Sequence, residues 1–448
     1  MARLKESVIN AFAFGTLGFV LMMCLISSYY VYFLTDVVGI GAAAVGSLLL
    51  VARIVDTVSV PVSGGIVEKT NLRWGKYRSW LLIAPPMAAV FGVLMFTDFA
   101  LPAGVKLMFM GCMYIVAHVF LNLSEVAQFA LYPVIATTAE DRVRLSCRRV
   151  QVMSSGQILF GLITMPMIMA LGGGNEARGF LLTIIVFAVL QVAGFLLMAH
   201  AARGFEPETA VREKRQAVTV REMARQIFHN RPLVVLVLAE ISRNTAFSIV
   251  FSFAVYYFKY VARDMSGTTY FFTSLSAGAL LGSLLGQPIA RSFAKKTTWV
   301  IGMCISCAAM LAAWRFAGQT AVFIAFCALF SVGNSIVLNL SSVLFSDVSD
   351  YAEWKTGKNA KGIVMSMTSM PIKAAIALAG GLAGYSLALV GYEANKVPTA
   401  AVTDAISSLT TLIPAFLALL SVIIFQFYNL TDEQLARIQQ QKATAAKQ

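Results

Sequence analysis

Long unbroken apolar runs dominate the chain, and LLTIIVFAVLQVAGFLLMA (181–199) is one of them. Such a run has few folded solutions. In hydrocarbon every backbone N–H and C=O must find its partner inside the protein, which leaves helices and closed β-barrels. Barrel strands alternate apolar and polar residues over ~10 positions, and these runs do not alternate. A helix of ~20 residues crosses the bilayer at a rise of about 1.5 Å per residue. Composition agrees: 58% of the 448 residues are hydrophobic and 13% are charged, against about 45–50% and about 25% in soluble domains. These figures exclude a soluble enzyme, a disordered chain and a disulfide scaffold.

Twelve runs are long enough to span: 10–35, 42–66, 80–98, 105–134, 150–172, 178–199, 233–261, 269–290, 298–316, 319–346, 362–391 and 405–429. The expected class is therefore an all-α membrane protein with twelve transmembrane helices. The polar stretch 201–232 is the longest interruption. It separates a six-helix bundle (1–200) from a second one (233–430), with 431–448 as a tail. The loops GGIVEKTNLRWGKYRSW (64–80) and GQPIARSFAKKTTW (286–299) each follow the second helix of their half. Both combine small and basic residues. Duplicated six-helix halves place a transporter's substrate site at their interface, near the midplane.

The net charge of +13 raises the question of nucleic acid, and its distribution answers it. Of 35 Lys and Arg, 26 fall on the side of the N-terminus, the central stretch and the tail, and six on the other. Basic residues accumulate on the cytoplasmic side of membrane proteins. The expected arrangement is a multi-pass inner-membrane protein with both termini in the cytoplasm and no nucleic-acid partner. Arg3 and Lys5 before the first run resemble the start of a signal peptide, but the run is too long for one. Cys304 and Cys307 form a C-x-x-C within an apolar helix with no further ligand nearby, so packing is the better reading. No Ser/His/Asp set, metal cluster or nucleotide motif is present in the sequence; no enzyme, metal or cofactor is expected.

Away from the span ends, six Asp, Glu, Lys or Arg residues lie inside spans: Arg53, Asp56, Glu125, Glu240, Arg243 and Lys373. A charge at mid-bilayer costs several kcal/mol, so each needs a partner, a cavity or a function. Arg53 with Asp56, and Glu240 with Arg243, are spaced to pair on one helix face. Either pair could be structural or face substrate. Glu125 and Lys373 have no partner on their own helices. Lys373 stands eleven residues past Gly362, about 16 Å along a helix, where a carboxylate from another helix or an anionic substrate would meet it. His118 is seven residues from Glu125; a relay is conceivable, and packing is the plainer reading. Phe129, Tyr29 and Tyr30 could stack on a sugar ring or simply pack. The segment SDVSDYAEWKTGKNAKG (346–362) concentrates Asp347, Asp350, Glu353, Lys355, Lys358 and Lys361. With Arg73 and Lys76 of the earlier loop, these acids are candidates for gating ion pairs, made in one conformation and broken in another. A solvated loop is the alternative.

At this point the motifs resemble a known family. YFLTDVVGIGAAAVGSLLLVARIVD (32–56), RWGKYRSW (73–80), LYPVIATTAEDRVRLSCRR (131–149) and SDVSDYAEWKTG (346–357) are together similar to the glycoside–pentoside–hexuronide:cation symporters of the major facilitator superfamily, the family of melibiose permease. The resemblance implies that Asp56 and Glu125 couple a cation, and that Arg149 and Lys373 line the sugar path. It also brings out departures. Val60, before Pro61, replaces a second cation-site aspartate, leaving Ser59 beside it. Val20 replaces a sugar-binding aspartate. Sodium needs several oxygen ligands, whereas one buried carboxylate suffices for a proton. Proton coupling is expected, with Na⁺ the weaker alternative. Arg53, Arg149, Arg243 and Lys373 against two acids favour an anionic sugar, such as a hexuronide or sulfosugar, because guanidinium binds carboxylate and sulfonate with two donors. A neutral glycoside or pentoside symporter, a lipid or amphiphile transporter and a non-transporting sensor are the alternatives. The expected unit is a monomer in the bilayer with a sugar and a coupling cation as its partners.

Overall fold

The computed structural model describes residues 4–70, 72–136, 139–205, 230–356, 368, 370–393, 398–431, 433–435 and 437–438. Among them twelve helices are long and apolar enough to cross a membrane: α1 (Glu6–Val37), α2 (Ala42–Val67), α3 (Arg78–Met95), α4 (Gly104–Tyr132), α5 (Arg148–Gly172), α6 (Glu176–Ala201), α7 (Arg231–Val261), α8 (Gly267–Gly286), α9 (Lys295–Arg315), α10 (Thr320–Lys355), α11 (Met370–Leu389) and α12 (Ala400–Gln426). Most of the central stretch, Lys358, Lys361, Lys396 and the end of the tail lie outside the described residues.

One element departs from the expected bounds. The helix of α10 continues to Thr356, so Asp347, Asp350, Glu353 and Lys355 stand on a helix rather than in a loop. Nothing between Ser346 and Thr356 breaks a helix; Gly357 is the first residue that would. Val348 and Ala352 are buried on this extension, so packing holds it beyond the apolar run. For α11, expected from 362, residues 362–367 and 369 lie outside the described residues, and Met370–Leu389, which carries Lys373, is helical.

The chain divides into two compact units, one of Met1–Arg215, Asp264–Thr273 and Gly381–Pro398, the other of Gln216–Arg263, Ser274–Gly380 and Thr399–Gln448. In the first, Phe12, Leu81, Leu123, Leu131 and Phe195 form a core shared by α1, α3, α4 and α6. Lipid supplies little hydrophobic drive between helices, so small residues bring backbones together. A Cβ on Gly194 of α6 would sit 2.3 Å from the Gly15 carbonyl oxygen of α1, and one on Gly384 would sit 2.4 Å from the Gly46 Cα of α2. Close to that second contact, Ser47 Oγ and Tyr385 Oη are 2.7 Å apart. The π-helical turn Phe33–Val37 brings Asp36 to accept hydrogen bonds from the Thr35 and Tyr392 hydroxyls. Gly384→Ala should therefore lower the unfolding temperature by several degrees. Gly64→Ala, at a position with nothing within 4 Å, should not; thermal melting of both variants checks this.

In the second unit, Leu236, Trp299, Val337, Leu344, Phe345 and Phe425 are core. Trp299 stacks on Phe425 at 4.2 Å and Phe425 on Tyr428 at 4.8 Å. Gly302 of α9 and Gly333 of α10 approach so closely that a Cβ on Gly333 would lie 2.3 Å from the Gly302 oxygen. After α12 the chain turns back. Thr431 and Gln434 cap each other's backbone N–H groups, a capping box that starts a helical turn, and Leu435 and Ile438 bury themselves in the same core.

Candidate functional site

One face of α4 carries Tyr114, His118, Asn122, Glu125, Phe129 and Tyr132. Their spacings of four, four, three, four and three keep all six within about 80° of helix circumference at 3.6 residues per turn. This stripe organises the polar part of the first unit.

At its centre, α2 presents Arg53 and Asp56, only 5% and 3% exposed. Arg53 Nη1 lies 3.6 Å from Asp56 Oδ2. Asn122 Nδ2 donates to Asp56 Oδ1 at 2.7 Å and to Ser59 Oγ at 2.8 Å, while Ser59 Oγ donates to the Asp56 carbonyl at 2.8 Å. Towards the start of α4, the Arg53 guanidinium stands 5.2 Å from the Tyr114 ring centre. Tyr114 stacks on His118 at 4.0 Å and on Tyr30 at 5.2 Å. The Nδ1 of His118 is 2.9 Å from the Tyr114 carbonyl oxygen. Tyr29 is enclosed by Phe160, Phe180 and Phe272 and is buried.

Towards the other end of the stripe, Arg149 reaches from α5. Its guanidinium lies 4.6 Å from the Phe129 ring centre and 6.0 Å from that of Tyr132, the geometry of a cation–π contact. Gln128 Nε2 donates to the Tyr132 hydroxyl at 3.0 Å, fixing that ring. The Nε of Arg149 is buried and meets no acceptor among the described residues. Phe129 is 43% exposed. Arg149 is thus held by two rings with hydrogen-bonding capacity in reserve. Glu125 is half-buried one turn from both Asn122 and Phe129.

The second unit holds a different arrangement. Glu240 and Arg243 are each 2% exposed. Arg243 Nε and Nη2 donate to Glu240 Oε2 at 3.1 and 2.7 Å. Its Nη1 donates to Asn334 Oδ1 at 2.9 Å, and Nη2 also reaches Asn244 Oδ1 at 3.3 Å. Asn244 Nδ2 adds a third donor to Glu240 Oε2 at 2.9 Å. Lys373 is half-buried on α11. Of the gating candidates, Asp347 pairs with Lys295 at 2.6 Å; Asp350 and Glu353 are half-buried on α10, Arg73 is exposed, and Lys76 lies 5.1 Å from the Tyr77 ring centre. The Lys295–Asp347 pair is partly exposed, so its net worth is small, about 0–1 kcal/mol. Lys295→Gln should leave the unfolding temperature within a degree or two while changing the uptake rate severalfold. Melting and initial-rate measurements on one preparation would check both.

Three arginines read as equivalent from the sequence therefore differ in availability. Arg53 and Arg243 face carboxylates on their own helices. Arg149 does not.

A family model described as MFS/sugar transport protein matches residues 11–432. The chain belongs to the MFS sugar transporters. This symporter is 30% identical over 433 residues to the isoprimeverose transporter of Lactiplantibacillus pentosus, covering 94% of this chain and 89% of that one. It is 27% identical to the glucuronide carrier protein homolog of Escherichia coli (strain K12), covering 96% and 92%. Its fold is similar to the crystal structure of a D-xylose-proton symporter, with a TM-score of 0.67 at 16% identity over 95% of this chain and 98% of that one. The twelve-helix fold and the transporter, rather than enzyme, character expected from the sequence stand on these findings. The MFS sugar transporter is a multi-pass membrane protein.

Sequence reading singled out Asp56, Glu125, Arg149, Phe129 and His118 but missed Asn122, Tyr114, Tyr132 and, in the second unit, Asn334 and Asn244. The 4-4-3-4-3 spacing along α4 would have found the first three. Asn334 had no such signal, because nothing local tells which helix Arg243 faces.

Proposed function

We propose that this sugar symporter carries an anionic sugar, a hexuronide or sulfosugar, coupled to protons by alternating access, with both termini in the cytoplasm. Arg149 is the observation that carries the substrate reading. A planar guanidinium pressed against the exposed ring of Phe129 offers a donor fork for a carboxylate or sulfonate beside a flat apolar face for the sugar. The likeness to a glucuronide carrier homolog supports the same class. Lys373 is the second cation proposed to serve the substrate.

Proton coupling is supported by the surroundings of Asp56. The amide nitrogen of Asn122 stands 2.7 Å from the Asp56 carboxylate and 2.8 Å from Ser59 Oγ. It fills the position a metal cation would share between those oxygens. A proton needs one carboxylate oxygen and no such vacancy, and Glu125 on the same stripe is the other carrier we assign. The Asp347–Lys295 pair, and the Asp36–Tyr392 contact in the first unit, are the contacts expected to break and reform in the cycle.

Uptake into proteoliposomes tests the reading. Methyl glucuronide should accumulate under an inward proton gradient and be indifferent to Na⁺. Equal accumulation of a neutral pentoside, with no preference for the uronate, would favour the neutral-glycoside reading. A strict Na⁺ requirement with indifference to the proton gradient would overturn the coupling assignment.

A further inference from the structure

A cavity of about 420 Å³ opens in the second unit at the membrane face that carries the tail, lined by none of the residues assigned to transport. Three segments build it: the first residue of α7 (Arg231), the end of α10 (Tyr351 and Trp354) and the returning tail (Asn429, Gln434 and Arg437). Its volume lies in the range of small-molecule sites, about 300–1,000 Å³. The walls are tied down. Asn230 caps α7 by accepting from Leu233 N and donates to the Val348 carbonyl of α10 at 3.5 Å. Beneath the tail, Leu430, Leu435 and Ile438 are core residues.

The lining has a definite chemistry. Arg231 and Arg437 are exposed and neither forms an ion pair among the described residues. Among the described residues no acid lines the cavity, and the neighbouring Asp350, Glu353 and Glu433 stay outside its wall. A third cation, Lys355 Nζ, sits 5.8 Å from the Tyr351 ring centre. Trp354 is half exposed and offers a broad apolar face, and the amides of Asn429 and Gln434 add polar contacts. Two forks facing an aromatic wall match a ligand with a compact dianionic head and a ring-shaped or apolar body.

We infer that this cavity is a binding site for a phosphate-bearing anion, separate from the transport site and suited to regulating it. Occupancy would join α7, α10 and the tail, and α10 also carries Asp347 of the Lys295 pair. The site's level, at the start of one span and just after the end of another, is reached equally by soluble organic phosphates and by lipid headgroups.

The full chain, purified in detergent, is titrated calorimetrically with phenyl phosphate at low salt. In a second arm it is placed in nanodiscs of phosphatidylcholine with or without phosphatidylglycerol, and retained lipid is counted by native mass spectrometry. Saturable phenyl phosphate binding identifies a soluble ligand; selective retention of phosphatidylglycerol alone identifies a headgroup. Either is the expected result, provided it weakens roughly tenfold or more in R231Q/R437Q, the loss of charge-assisted forks. Arg437→Gln alone, in the tail and outside the spans, should weaken it in part and serves if the double variant does not fold. Trp354→Ala should weaken phenyl phosphate. The inference is overturned if neither probe is bound selectively, or if the arginine variants bind as the unaltered chain does.

Discussion

Arg243→Ala should be among the most damaging single substitutions in the second unit, and Arg243→Leu combined with Glu240→Leu should largely undo the damage. Glu240 Oε2 collects two donors from Arg243 and one from Asn244; its other oxygen meets none among the described residues. Removing the guanidinium leaves a carboxylate buried among apolar helices with one amide donor. Breaking a buried pair in this way costs about 3–5 kcal/mol, whereas replacing both partners with apolar residues of similar size is often neutral or stabilising. Thermal unfolding in detergent of the single and double variants should therefore show a large fall and a recovery. If the double variant instead folds well and transports normally, the pair is structural. If it folds well and loses uptake, the network belongs to the transport cycle.

Arg149→Gln should have the opposite profile: little change in stability and a loss of uronate uptake of roughly tenfold or more. The guanidinium makes ring contacts worth about 0.5–1 kcal/mol at a partly exposed site but, among the described residues, holds no carboxylate that its removal would strand. A charge-assisted fork to substrate contributes more, and a buried substrate anion left without it loses about 1.5–3 kcal/mol. Arg149→Lys keeps the charge and loses the planar fork, so it should recover part of the uptake at best. Binding of methyl glucuronide and of a neutral pentoside to each variant decides the point. A uronate-selective loss supports the assignment, and an equal loss for both sugars removes it.

The spans were readable because hydrocarbon leaves the backbone only one economical answer, and a run such as 181–199 admits no other. The buried acid of α2 was readable for a related reason: with so few charges in the membrane, Asp56 and Arg53 stand out against their neighbours. What surrounds them was not. Asn122, Tyr114 and Tyr132 are ordinary residues in composition, and they matter because the helix turns them onto one side towards Arg53, Asp56 and Arg149. The same limit explains α10. Hydropathy falls at Ser346, but helix formation depends on backbone compatibility and packing, and Val348 and Ala352 find a core to enter. The difference between Arg149 and Arg243 is likewise a matter of which acceptor lies within about 3 Å, information that sits on other helices.

The two same-helix charge pairs have a consequence for how the protein is made. A lone ionised side chain at the centre of an inserting helix costs about 2.5–3.5 kcal/mol. Arg53–Asp56 and Glu240–Arg243 each lie three residues apart, so each pair can neutralise itself as soon as its own helix has formed. Their amide partners on other helices arrive later from the ribosome: Asn122 comes two helices after α2, and Asn334 three helices after α7. Both polar clusters can thus be assembled in two stages, with charge cancelled during membrane entry and the final hydrogen bonds added when the bundle closes. Neither α2 nor α7 has to wait in the translocation channel for a partner not yet synthesised.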